Sequence, residues 1–129
     1  MRRVVPLIAL TALAACSTSP VPLSRATSTP SERIFSPTLA KTSDGAQKIT
    51  IVRDSGLKGS AFYTTVYVDG VRAADVDTSE AVRIYLQPGV HILSAGPRGM
   101  STGPSVPVTV PSATTQYRIS EGLFLLPAE

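Results

Sequence analysis

The chain has 129 residues, with 12 Lys+Arg against 9 Asp+Glu for a formal charge of +3, 43% hydrophobic residues, 11 prolines, one cysteine, one histidine and no tryptophan. That length allows one domain of ordinary size, and a lone cysteine excludes an intramolecular disulfide. One His and one Cys leave a zinc site short of its usual nitrogen and sulfur ligands, so neither a metal nor another cofactor is expected.

Met1, Arg2 and Arg3 make a positive start, and residues 4–13 form an apolar stretch broken only by Pro6 and Thr11. This is too short for a membrane span, which needs about 20 apolar residues. A charged start, a short apolar core and small residues after it describe a secretory signal peptide over residues 1–15. Leu13-Ala14-Ala15-Cys16 resembles the lipobox of bacterial lipoproteins. The resemblance implies cleavage before Cys16 and acylation of its thiol, and Ser17 in place of Asp after the cysteine implies delivery to the outer membrane, facing the periplasm. Two or more acyl chains give a stable anchor where one holds only marginally. Cleavage removes Arg2 and Arg3, so the remaining chain is close to neutral and a nucleic-acid partner is not expected.

Residues 17–46 contain 16 Ser, Thr or Pro. So few apolar side chains do not offset the entropy of ordering, and the segment reads, together with the lipidated cysteine, as a disordered tether over 16–46. As a flexible coil it would hold the following domain about 30 Å from the lipid. Ile34, Phe35 and Leu39 are exceptions within it, suited to pack on the domain as an extra strand or to dock a partner.

From Gln47 the pattern changes to short apolar runs of period two. Residues 48–54 read as a strand, 55–60 as a loop, and 61–68 as a strand rich in β-branched and aromatic residues. Asp69-Gly70 between two β runs suits a type I′ turn. Residues 72–76 return as its second arm, 77–80 turn, 81–86 form a strand, and Gln87-Pro88-Gly89 turns into 90–95. A glycine-containing loop over 96–104 precedes a strand at 106–110, which Pro107 and Pro111 assign to a sheet edge. Residues 115–120 and 123–126 close the domain. Seven or eight short strands with no amphipathic helix predict an all-β fold over 47–129, a small antiparallel Ig-like β-sandwich.

Val66-Tyr67-Val68-Asp69-Gly70-Val71, followed by Tyr85-Leu86-Gln87-Pro88-Gly89-Val90-His91, is similar to the strand, Asp-Gly, strand, Leu-x-Pro-Gly-x-His pattern of PEGA-type domains. It departs from that family over 75–80, which lack its Gly-x-x-Pro element. The resemblance spans about 30 residues and implies an Ig-like β fold with an envelope role, without an activity.

Asp75, Asp77 and Glu80 superficially match a calcium loop, but an EF-hand needs Gly at the sixth position and Glu at the twelfth, where Glu80 and Leu86 stand. They read instead as acidic residues capping a hairpin. Residues 94–103 hold three glycines and Arg98 without the Gly-Lys-Ser/Thr ending of a phosphate loop, so they read as a connection. His91 alternates with Val90 and Ile92; with those two toward the core, it faces solvent or a sheet edge. No Gly-x-Ser-x-Gly elbow accompanies it, and no catalytic residue is assigned. Period two places Phe62, Thr64, Val66 and Val68 inside and leaves Tyr63, Thr65 and Tyr67 outside. Tyr63 and Tyr67, joined by Tyr85, form the candidate aromatic patch for a partner.

The expected protein is a non-enzymatic, outer-membrane-anchored lipoprotein whose domain binds an envelope protein or glycan. An accessory subunit of a secretion or transport complex is the alternative, and a hydrolase, or an enzyme inhibitor acting through residues 96–104, a third.

Overall fold

The computed structural model describes residues 19–56, 61–97, 99–100, 104–120 and 125–128; Cys16 and the residues before it lie outside these. Nine strands are present among the described residues: β1 (Thr27–Ser28), β2 (Gln47–Arg53), β3 (Thr64–Val68), β4 (Val71–Val76), β5 (Glu80–Leu86), β6 (Gly89–Pro97), β7 (Val106–Val110), β8 (Gln116–Ile119) and β9 (Leu125–Pro127). They form a five-stranded sheet in the order β1-β5-β2-β8-β9 and a four-stranded sheet in the order β4-β3-β6-β7. This is a small β-sandwich, as the period-two runs require: each strand has one apolar face, and the two sheets bury those faces against each other.

Ile49 and Ile51 of β2 lie opposite Ile84 and Val82 of β5, and all four are at most 1% exposed. Val66, Val68, Leu93, Ala95, Val108 and Val110 meet them from the other sheet. Each fully buried Ile or Leu contributes about 1.5–3 kcal/mol relative to an exposed one. Asp69 (φ 51°) and Gly70 (φ 77°) both occupy the left-handed region, so the Asp-Gly turn closes the β3–β4 hairpin as its sequence predicts. Pro107 lies on edge strand β7, where its missing N–H removes no ladder bond.

Five expectations are corrected. Residues 19–46 are not a disordered tether. They form a strap that begins at Ser19, paired with Ser55, and crosses the outer face of the five-stranded sheet through Pro20, Val21 and Pro22. It then rises along the β4–β5 side of the sandwich. Thr27 and Ser28 pair in parallel with Glu80 and Ala81, Ile34 bridges Ala74, and the Phe35 N–H donates to the Ala73 carbonyl at 2.8 Å. Composition missed this because the strap is ordered mainly through its backbone. Its apolar contribution is concentrated in Ile34 and Leu39, which pack against the core as the packing alternative foresaw.

The sandwich is also not purely antiparallel, since β1 runs parallel to β5 and β8 parallel to β2. Strand β3 begins at Thr64 rather than 61, so Phe62 lies outside the alternating run and is 49% exposed. Thr65, expected outside, is fully buried: its hydroxyl donates to Asp75 Oδ1 at 2.6 Å and accepts the Gly99 N–H. Finally, the turn at residues 77–80 joins strands of different sheets, an arch rather than a hairpin.

Candidate functional site

The strands run between two ends. One end carries Ser19, Ser55, the 77–79 arch and the Phe62–Tyr63 segment. The other carries the Asp69–Gly70 turn, the Gln87–Pro88 turn and the top of the strap. Both hold candidate residues, built in different ways.

At the first end Arg53 sits at the close of β2 on the inward face, 3% exposed, where Nη1 donates to the carbonyls of Phe62 (2.8 Å) and Val76 (2.9 Å). Burial pulls its pKa down, and the charges of Asp77 and Glu80 oppose that. Glu80 is the acceptor of a fork: Arg33 Nη1 and Nη2 donate to its two oxygens at 2.8 and 2.5 Å, and the Asp77 N–H adds a third bond. The Arg33 guanidinium also lies 4.6 Å from the Tyr63 ring centre. Asp75 accepts from Thr65 and from Arg72 Nη2, the latter at 2.6 Å. The three carboxylates of the supposed calcium loop are therefore taken up one by one by donors of the fold, and among the described residues no group of three metal ligands occurs.

Beside this end, under Pro20 and Pro22, a cavity of about 460 Å³ is flanked by Asp54, Gln116 and Arg118. Asp54 Oδ2 accepts from Arg118 Nη2 at 2.5 Å, while Asp54 Oδ1 and Arg118 Nε are buried without a partner. The partners are 64 positions apart, so no local pattern announces them.

At the second end residues 37–43 of the strap stand off the β5–β6 corner and leave an open groove of about 490 Å³. Leu39, Lys41, Ser43, Tyr85, Gln87 and His91 contribute to its walls. Register fixes it: the Tyr85 N–H donates to the Leu39 carbonyl at 2.9 Å, and Gln87 Nε2 donates to Ser43 Oγ. Its lining is mainly apolar with a few polar tips, the general make-up of a ligand or partner groove.

His91 closes the far wall. Val90 (66% exposed) and Ile92 (39%) point outward from β6, opposite to expectation, because the alternation of the strand puts Leu93 and Ala95 inward. His91 shares that inward parity and lies opposite the buried Val108 of β7, at the margin of the core. Nδ1 is 2.8 Å from Asp69 Oδ2, and Nε2 is 2.7 Å from the Gln87 carbonyl oxygen. Both partners only accept, so both ring nitrogens need a proton. Burial lowers the imidazole pKa, but the bonds to Asp69 and the Gln87 carbonyl outweigh it, and the net position is above 6.5. Asp69 is held below its usual 3.8, first by the Ile92 N–H and then by His91.

The three tyrosines do not make one ladder. Tyr63 is at the first end under Arg33, Tyr67 is half-buried on the outer face of the four-stranded sheet opposite Ser94, and Tyr85 is on the other sheet in the groove. Sequence periodicity cannot say which sheet a strand joins, and that decides which aromatics meet. Cys16 and Arg98 lie outside the described residues, the first with the expected lipidation, the second with residues 101–103 of the glycine-containing connection. Among the described residues no helix is long and apolar enough to cross a membrane. Compared with known proteins, the chain matches no family model, and no curated protein and no solved structure is significantly similar to it.

Proposed function

We propose that this is a non-enzymatic envelope lipoprotein, anchored to the outer membrane through acylated Cys16, whose β-sandwich presents the Tyr85–His91 groove to a periplasmic protein or glycan. The anchor reading rests on the lipobox residues. The groove supports the binding role: it combines an aromatic ring, an apolar floor, and the Lys41, Gln87 and His91 tips in one concavity at the end of the sandwich away from Ser19. Tyr85 replaces the three-tyrosine patch as the leading contact, because Tyr63 and Tyr67 face other surfaces.

Photo-crosslinking in native membranes tests the binding role. A benzophenone amino acid at position 85 is expected to capture a partner that the same group at position 67 does not. Equal capture at both positions, or none at 85, would remove the groove from the proposal. A single stoichiometric multiprotein complex captured through position 85 would favour the accessory-subunit alternative. Labelling with a palmitate analogue tests the anchor: Cys16→Ala is expected to abolish incorporation, and equal labelling would sink it.

A further inference from the structure

We propose that the end of the sandwich carrying Phe62 and Tyr63 rests on the bilayer surface, with those two rings seated in the headgroup zone. The inference builds on acylation of Cys16 and adds an orientation to it. Ser19 is fixed to the domain by two backbone bonds: its N–H donates to the Ser55 carbonyl at 2.7 Å, and the Ser55 N–H donates to its carbonyl at 2.9 Å. Only three residue steps separate Ser19 from Cys16, and three fully extended residues reach at most about 11 Å. The lipidated residue therefore stays within that distance of the Ser19–Ser55 pair, whatever path the chain takes between them.

What stands at this end suits such a surface. Phe62 and Tyr63 are adjacent and 49% and 43% exposed, and the carbonyl of Phe62 is bonded to Arg53, two residues before Ser55. Tyrosine favours the membrane–water interface, where the ring body of Tyr63 is sheltered and its hydroxyl stays wet, and Phe62 adds apolar area beside it. The Arg33 guanidinium over Tyr63 is paired with Glu80, which offsets its charge beside the ring. Met100, 57% exposed, follows Pro97, which pairs with Thr64 at the same end, and extends the apolar surface. The opposite end, with the groove, stands off by the length of the seven-residue strands β2 and β5, about 20 Å. The groove then opens into the periplasm rather than toward the lipid.

The chain has no tryptophan, so a single introduced one is an unambiguous probe. Full-length acylated protein carrying Phe62→Trp, Tyr63→Trp or Val71→Trp would be reconstituted into phosphatidylethanolamine–phosphatidylglycerol vesicles with brominated acyl chains. All three sites are exposed, so the fold should accept the change. Tryptophan at 62 or 63 is expected to shift to the blue and lose about half its emission or more to the bromines, while tryptophan at 71, on the far hairpin, keeps its aqueous spectrum. Equal behaviour at 62, 63 and 71 in vesicle-bound protein overturns the orientation alone. Failure of the unsubstituted chain to float with vesicles overturns the anchor and the orientation together.

Discussion

The two ends of the sandwich solve the same problem with different cations. Each must tie turns from both sheets together where the apolar core has run out. At the Phe62 end the tie is arginine: Arg53 reaches the carbonyls of Phe62 and Val76, and Arg33 grips Glu80. At the groove end it is His91, stretched between Asp69 and the Gln87 carbonyl. Arginine keeps its proton at any ordinary pH, whereas an imidazole is a group that can give its proton up, here at a pH raised above the usual 6.5 by Asp69 and the Gln87 carbonyl. One end is built to be permanent and the other to be conditional. On the proposed orientation the permanent end faces the membrane and the conditional end faces the compartment whose composition changes.

The sharpest way to break this contrast is Arg53→Met. It keeps much of the apolar stem but leaves two carbonyls without their buried donor, and should lower stability by about 3 kcal/mol in urea unfolding. A loss no larger than that of a surface control would mean that the first end is not held by its arginine. Ile34→Ala tests whether the strap spans the ends as one unit. Its side chain is only partly buried, so about 1–2 kcal/mol is expected, together with faster proteolytic nicking within residues 19–46. Gly70→Ala, with no atom within 4 Å of the added Cβ but φ at +77°, should cost about 1 kcal/mol through backbone strain alone.

The smallest effect is the most diagnostic. Because His91 has its folded pKa raised above 6.5, its contribution is complete below 6.5 and is lost as pH rises through the raised value. Asp69 has its folded pKa lowered, so its contribution is present above 3.8 and is lost as pH falls through the depressed value. The pair is therefore strongest between 3.8 and 6.5. Asp69 is half exposed, so solvent screening limits the contribution to about 0.5 kcal/mol or less. His91→Gln should flatten the fall in stability as pH rises above 6.5; an unchanged slope would show that another group sets it.

Much of the fold was legible in the sequence because it depends on local signals. Period-two runs located the strands after Gln47, Asp-Gly located the hairpin, and the prolines located edge strand β7. What was not legible depends on pairing between distant residues. The strap is rich in Ser, Thr and Pro, and its order comes from bonds to residues 36 to 55 positions away, such as Ser19 to Ser55 and Thr27 to Ser79. The sites divide in the same way. Tyr85 was nameable as an exposed aromatic, but its groove exists only because Leu39 is hydrogen-bonded beside it. His91 was placed on the wrong parity because the apolar character of Val90 and Ile92 assigned them inward, whereas the facing of the strand is set by Leu93 and Ala95 further along it.

The strap lies along two sheet edges at once, β5 through Thr27–Ser28 and β4 through Ile34. Unpaired edges are where one sheet recruits another chain, and this one segment blocks two of the four. Yet the residues that do so are the earliest of the described chain to be synthesised, and they have nothing to bind until β4 and β5 exist some 40 to 50 positions later. The strap can dock only once β4 and β5 have been made, and until it does both edges stand open to self-association. Variants that loosen the strap should aggregate more during refolding from urea than the unaltered chain does, which light scattering would show.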